Sequence, residues 1–479
     1  MDKHDVEKKL EIIKINTKII NCKTKLSNCI NKNYIYVLLL INSIIASISS
    51  NEIKITISGS GNIRIMDING RRPNNYCIEN GQCGGSQFSI TDNILYYNKN
   101  NQYNILVVKF NIKLSNLNGL FKNCKDITSI DFKNFDFSDV YDTSEMFQNC
   151  TYLTSINFGS NTINNIIKMS YMFYNCSSLK EINLLKFKTS NVDKMDGMFE
   201  LCSNLIKLEQ NFDTSKVVSM EKMFSNCENL DSLDITNFDV SSVTNMNSMF
   251  KGCKKLNSLK LFNSKTISLI NMGSMFQSCS SLENLDLSSN FETSSVQFMN
   301  DLFHDCTSLI SPTKFEFNTE KVIKMESMFE NCKKLTKLDL SSFYTPSLRQ
   351  IYSMFSGCSS ITTINISNFD TFQITNFANL FANCISLVEI NLNNFETKMV
   401  TNMTQMFCNC TSLANIDISN FDTKSLKEMN SMFKGCSSLE ELNLTNLLNP
   451  NVYDMSNMFS GCKKLDRLIT DNFGTSNVK

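Results

Sequence analysis

The pair Phe-x-x-Cys occurs fourteen times in this chain, from Phe121/Cys124 to Phe459/Cys462. Of the thirteen intervals between successive pairs, eleven are 26 residues, one is 25 and one is 27. A period held that tightly admits one kind of architecture: a supersecondary unit stacked on copies of itself, because one such unit cannot bury its own apolar face. The 479 residues therefore need not divide into the two to four globular domains that length alone suggests. Fourteen of the 19 Cys hold the repeated position and every Met except Met1 and Met66 lies in the array, so this composition belongs to the repeated unit.

The unit has two halves with different apolar periods. Val243, Met246, Met249, Phe250 and Cys253 fall on one face of a helix or tight helical turn. Leu256, Leu259 and Leu261 then switch to alternation, as in a short strand. The helical half follows Phe-Asp-Thr or Phe-Asp-Val, as at Phe369-Asp370-Thr371 and Phe238-Asp239-Val240, whose polar side chains can cap a helix N-terminus. Pro346 and Pro450 sit near the same boundary, where a missing N–H is harmless in a first helical turn. The prediction is an α/β solenoid: a leucine-rich repeat array of about 14 units with a 26-residue period, preceded by a small β-rich cap. Its strands are expected to form one parallel sheet with a concave arc on the order of 65 Å.

The run from Met325 to Thr345, Met-x-x-Met-Phe-x-x-Cys-x-x-Leu-x-x-Leu-Asp-Leu-Ser-x-Phe-x-Thr, resembles the repeat of BspA-like leucine-rich repeat surface proteins. The resemblance covers about residues 117 to 479, and Asn51 to Asn62 is similar to a segment that often precedes such arrays. It implies a cell-surface or secreted protein used in adhesion and recognition, and supplies no fixed catalytic residues.

Four segments follow. Residues 1–33 form a basic N-terminal stretch with eight Lys against four acids, and residues 34–50 an apolar signal or signal-anchor segment. Its uncharged run is about 23 Å long as a helix, short for a bilayer span and right for a secretory signal. A retained anchor with the Lys-rich end inside fits equally, and a buried element of the cap is the third reading. Residues 51–115 alternate at Ile53, Ile55 and Ile57 and carry clustered glycines, so a β-rich N-terminal cap domain is expected to shield the first repeat's sheet edge. Residues 116–479 are the solenoid.

Charge and residue counts exclude several functions. Lys+Arg and Asp+Glu are 46 each, leaving no basic face for nucleic acid. Two His, His4 and His304, and no localised cluster of titratable groups argue against an enzyme, a metal centre, a cofactor or a small-molecule substrate. His304 is expected to be a solvated imidazole, the repeated Cys a column of buried unpaired thiols, and Cys408 a weak metal signal. Cys77 and Cys83 can close a disulfide in an oxidising compartment, or remain two small hydrophobes.

The candidate binding face is the residue between the paired Leu/Ile positions of successive strands: Asp131, Asn157, Asn183, Glu209, Asp234, Lys260, Asp286, Asp339, Asn365, Asn391, Asp417 and Asn443. Such a row can contact an extracellular protein or glycan; Asn and Asp side chains satisfying one another in register is the competing account, and specific cation binding a third. The expected function is a non-enzymatic surface binding protein, held to a membrane through residues 34–50. The alternative is an intracellular scaffold. Pro312 and Lys314 stand where Leu belongs, which predicts a break in the sheet. Six sequons, at Asn149, Asn175, Asn365, Asn402, Asn409 and Asn443, permit N-glycosylation in a host that modifies secreted proteins.

Overall fold

The computed structural model describes residues 51–470 apart from 72, 74, 79–85, 100–103, 161, 286, 288–290, 311–314, 446 and 448–449. The readings for residues 1–33 and 34–50, for Cys83, Asp286, Pro312 and Lys314, lie outside the described residues.

Six strands precede the array: β1 (Asn51–Ile57), β2 (Gly61–Asp67), β3 (Asn75–Ile78), β4 (Phe88–Thr91), β5 (Ile94–Lys99) and β6 (Ile105–Phe110). The β1 side chains alternate buried and half-buried, and Ile53, Ile55 and Ile57 enter the core. β4 and β5 pair antiparallel through Asp92 and Asn93, both at positive φ (51° and 61°). That is the conformation a two-residue hairpin turn requires, and Asp and Asn tolerate it. β7 (Ile127–Asn134) is the first strand of the array, and β1 pairs with it antiparallel. One sheet therefore runs β3-β6-β1-β7-β8, with β8 (Ser155–Asn157) parallel to β7. The cap thus occupies the hydrogen-bonding edge that the first coil would otherwise expose.

Beyond it the chain is a β-solenoid of about 13 turns at a period of about 26 residues. Its strands are three residues long: β9 (Glu181–Asn183), β10 (Lys207–Glu209), β11 (Ser232–Asp234), β12 (Ser258–Lys260), β13 (Lys337–Asp339), β14 (Thr363–Asn365), β15 (Glu441–Asn443) and β16 (Arg467–Ile469). They pair parallel and in register as β9–β10, β11–β12, β13–β14 and β15–β16. The continuous sheet expected from the period is therefore broken into pairs. Single parallel bridges, such as Ser219 to Asn245 and Asn245 to Asn271, form a second ladder elsewhere in the coil.

The expected helical half is not helical: no α-helix occurs among the described residues, so the α/β assignment is corrected to a β-solenoid. Residues 143–150 show why. The N–H groups of Met146, Gln148 and Cys150 close tight turns onto Thr143, Glu145 and Phe147. The N–H groups of Glu145, Phe147 and Asn149 instead reach the carbonyls of Ser170, Met172 and Tyr174 in the next coil, at 2.8–3.0 Å. Every second donor is thus spent between coils, which an α-helix cannot allow. The alternation needs left-handed backbone at two positions per coil, here Glu145 (φ 55°) and Asn149 (φ 61°). The residue before each column Cys is mostly Asn or Gly, the types that reach this region most cheaply.

The Phe-Asp-Thr elements change role accordingly. Asp213, Asp370 and Asp422 accept the N–H two residues on and so close turns. The buried Thr189, Thr214, Thr293, Thr319 and Thr397 donate their hydroxyls to carbonyls of the next coil at 2.8–3.0 Å.

Packing inside is by columns. The Phe of each Phe-x-x-Cys stacks on its neighbours, with centroids 5.4 Å apart at Phe147/Phe173 and 6.2 Å at Phe433/Phe459. Beside it the column Cys donates its S–H to the Phe carbonyl of the preceding coil: Cys150 to Phe121 at 3.0 Å, Cys253 to Phe224 at 3.1 Å, Cys410 to Phe381 at 3.1 Å. Fifteen described cysteines, the fourteen of the column and Cys408, are free thiols. Burial pushes the Cys202, Cys253 and Cys358 thiols up to about 12. At a pH of about 8 a maleimide is therefore expected to label Cys462 and, slowly, Cys408, while the remaining described thiols react only after denaturation. Mass spectrometry of native and unfolded protein checks this; fast native labelling of Cys253 would contradict it.

Candidate binding site on the strand face

Glu181-Ile182-Asn183, Ser232-Leu233-Asp234 and Glu441-Leu442-Asn443 project their outer residues to solvent and bury the middle one; in β8, β10 and β12 the middle residue is half-buried. This is the two-residue period of a strand packed on one face. Of the row predicted to bind, the sheet pairs Asp131 with Asn157, Asn183 with Glu209, Asp234 with Lys260, and Asp339 with Asn365. Asn391, Asp417 and Asn443 continue it at 26-residue steps and are exposed, although Asn391 and Asp417 lie outside regular strands.

Neighbours in the row interact. Asn157 Nδ2 donates to Asp131 Oδ1 at 2.9 Å, and Lys260 Nζ lies 3.2 Å from Asp234 Oδ2. Asn183 donates to Glu209, which also pairs with Lys207 at 2.8 Å. The Lys207 hydrogen bond and charge hold the Glu209 carboxyl below its usual range.

A second role, missed from the sequence, is shared by nearly every member. The side-chain oxygen accepts the backbone N–H two residues on: Lys133 to Asp131, Gly159 to Asn157, Thr236 to Asp234, Ser341 to Asp339, Ser367 to Asn365, Asn393 to Asn391, Ser419 to Asp417 and Thr445 to Asn443, at 2.8–3.2 Å. The Asp and Asn members of the row therefore close the turn that follows as Asx-turns. The signal was present as Asp/Asn-x-Ser/Thr after the strand, at Asp234, Asp339, Asn365, Asp417 and Asn443. Those turns leave outer lone pairs and the Asn amide donors facing solvent, which suits polar contact with a partner surface.

The Ser419 hydrogen bonds hold the Asp417 carboxyl below its usual value. A depressed folded-state value means the contribution is complete above the unfolded-state pKa and is lost as pH falls through the folded one. Asp417→Ala is accordingly expected to cost about 0.5–1 kcal/mol near neutral pH, the difference shrinking in acid, while Asp417→Asn keeps the turn. Urea unfolding at both pH values measures this.

The other candidates are scattered. The sequon residues Asn149, Asn175 and Asn409 sit at left-handed positions, and their amides donate to Asn123, Asn149 and Asn383 of the preceding coils at 2.7–2.9 Å. Asn365 and Asn443 lie exposed on the strand face. Cys77 is disulfide-bonded; Cys83, its expected partner, lies outside the described residues. His304 is not a free imidazole: Nδ1 is 3.1 Å from Asp301 Oδ1 and Nε2 is 3.5 Å from Asp305 Oδ2. Among the described residues no group of three or more His, Cys, Asp and Glu is placed to hold a metal ion, and no helix is long and apolar enough to cross a membrane.

Comparison with known proteins bears on the array. Solved structures with partial likeness include a leucine rich cell surface protein from Faecalibacterium prausnitzii (16% identity, TM-score 0.32, covering 75% of this chain and 76% of that one). A leucine-rich repeat protein from Eubacterium ventriosum (14% identity, TM-score 0.29, 58% and 82%) and the T. pallidum leucine rich repeat protein (20% identity, TM-score 0.24, 41% and 72%) are others. Their descriptions name the repeat class that the Met325–Thr345 motif resembles. No curated protein matches the chain. A family described as "Mycoplasma protein of unknown function, DUF285" matches in overlapping copies at residues 88–182, 115–233, 167–285, 219–343, 270–389, 313–413 and 377–479. Those copies span the whole described solenoid, and the chain belongs to the DUF285 family.

Proposed function

We propose that this chain is a non-enzymatic binding protein, displayed at the cell surface or secreted, whose strand face engages a protein or glycan partner in adhesion or recognition. The observation that carries the reading is the register: parallel strands bring outward polar side chains into rows at a constant 26-residue step. Solenoids offer such extended surfaces without needing a pocket. The disulfide at Cys77 supports an oxidising compartment, and leucine-rich repeat surface proteins among the structural neighbours support display.

Protease shaving of intact cells tests location, with release of array peptides expected and complete protection favouring the intracellular scaffold. A binding screen of the full chain against matrix proteins and glycans tests the face. Simultaneous Asn365→Ala, Asn391→Ala and Asn443→Ala substitution is expected to weaken any captured ligand about tenfold or more, with the fold checked by circular dichroism. An unchanged affinity would move the site off the strand face.

A further inference from the structure

We propose that the turns carrying Asp301, Glu326, Glu330 and Tyr352 bind an arginine side chain presented on an extended basic segment of a partner protein. The four residues lie on three successive coils, tied by Asp301 N–H to the Glu326 carbonyl at 2.9 Å and Ser327 N–H to the Tyr352 carbonyl at 3.0 Å. They belong to the turn half of the coil, so the inference does not rest on the strand-face reading.

Glu326 is the anomaly. It is only 8% exposed, yet its Oε2 has no hydrogen-bond partner. An orphaned buried carboxylate oxygen is expensive, and native structures keep one mainly where something outside the chain completes it. Burial pushes the Glu326 carboxyl up, and the Asp301 carboxylate beside it pushes the same way. Among the described residues the Glu330 carboxylate likewise has no hydrogen bond or ion pair. Asp301 is positioned by its neighbours, accepting from Asn300 at 2.9 Å and facing His304 Nδ1 at 3.1 Å. Burial raises the Tyr352 phenol, followed by the fields of Glu326, Asp301 and Glu330, while 37% of that residue is open to solvent.

The chemistry selects the ligand. Because no described set of these groups is placed as a metal cage, the missing counter-charge is an organic cation. A guanidinium offers planar N–H donors for the half-buried Glu330 carboxylate and for the buried Glu326 carboxylate once its side chain turns outward, and a face that stacks on a phenol ring, which an ammonium matches less well. Charge also favours a basic segment, since the carboxylates of Asp301, Asp305, Glu326 and Glu330 outnumber the two lysines that act on them, Lys324 on Glu326 and Lys251 on Asp301.

Binding should release protons. Burial raises the Glu326 carboxyl and pairing with a cation lowers it again, while His304 gives up the Asp301 hydrogen bond that chiefly raises it. The charged groups facing the site are Lys324 and Glu330 on the Glu326 coil, Asp301, His304 and Asp305 on the coil before, Lys251 farther back, which acts on Asp301, and Tyr352 on the coil after. Affinity is therefore expected to rise with pH.

The test is fluorescence anisotropy of a labelled hexa-arginine peptide with the full chain in about 50 mM salt. Glu326→Gln with Glu330→Gln is expected to weaken binding about tenfold or more and to flatten the pH dependence; Tyr352→Leu is expected to weaken it about fivefold. Glu389→Gln with Glu441→Gln on the strand face should change it less than about twofold. If Glu326→Gln perturbs the fold, Glu330→Gln and Tyr352→Leu alone decide. Absence of binding, equal loss in the strand-face variant, or no loss in the turn variants overturns the proposal, whatever the outcome on the strand face.

Discussion

Replacing Phe250 by Ala is expected to destabilise the array by about 3–5 kcal/mol, read as a fall in the urea midpoint. The ring is fully buried between Phe224 (5.7 Å, interplanar angle 2°) and Phe276 (5.8 Å, 8°). Its loss leaves a cavity between rings that neighbouring coils cannot close, because each is pinned by its own backbone bonds, such as Phe224 N–H to Met249 and Phe250 N–H to Met275, both 2.9 Å. Coils touch mainly their immediate neighbours, so the lesion should also weaken coupling between the two sides. A broadened or two-step transition is expected beside the lower midpoint. A change under about 1 kcal/mol would mean that the stacked column is not what holds the coils together.

The second large effect is expected at Gly357. Its φ of 73° lies in the left-handed region, and a β-carbon there would overlap the Asn331 side-chain oxygen. Gly357→Val combines a β-branched residue with that backbone and is expected to cost about 2–4 kcal/mol. Gly357→Asn should stay within about 1 kcal/mol: the Asn331 side-chain oxygen must swing aside for either variant, but Asn holds the same left-handed place at Asn149, Asn175 and Asn409 and there bonds the preceding coil through its amide. The pair of variants separates backbone conformation from bulk. Equal losses in thermal melts would show that the left-handed position is not the constraint.

How much of this was legible follows from where each interaction is encoded. Burial was readable because column membership depends on residue type and spacing: Phe250, Met246, Met249, Cys253 and Leu256 are all fully buried. The turn chemistry was half readable. Asp370 and Thr371 were seen as capping groups, and they do bond backbone at that boundary, but no helix follows. The apolar spacing that suggested a helix also fits successive tight turns, and the Asn or Gly before most column Cys was the distinguishing sign. Most described members of the strand-face row are exposed, while its Asx-turn role at Asp339 or Asn365 went unread although the Ser two residues on was in view. At the candidate turn site the sequence showed a His beside acids in one coil, and nothing local linked them to Glu326 and Tyr352.

By itself, then, the order of residues determined the repeat, its register and which side chains face inward, because these depend on periodicity and on the cost of exposing apolar surface. Tertiary structure decided how the backbone between them is shaped. The hydrogen-bond partner of Phe147 N–H is Met172, 25 residues away, and no local propensity can report a donor spent on the next coil. The same reason explains the Glu326 cluster: stacking alone sets three coils against one another, and only there do a buried carboxyl, a second carboxylate and a phenol become neighbours.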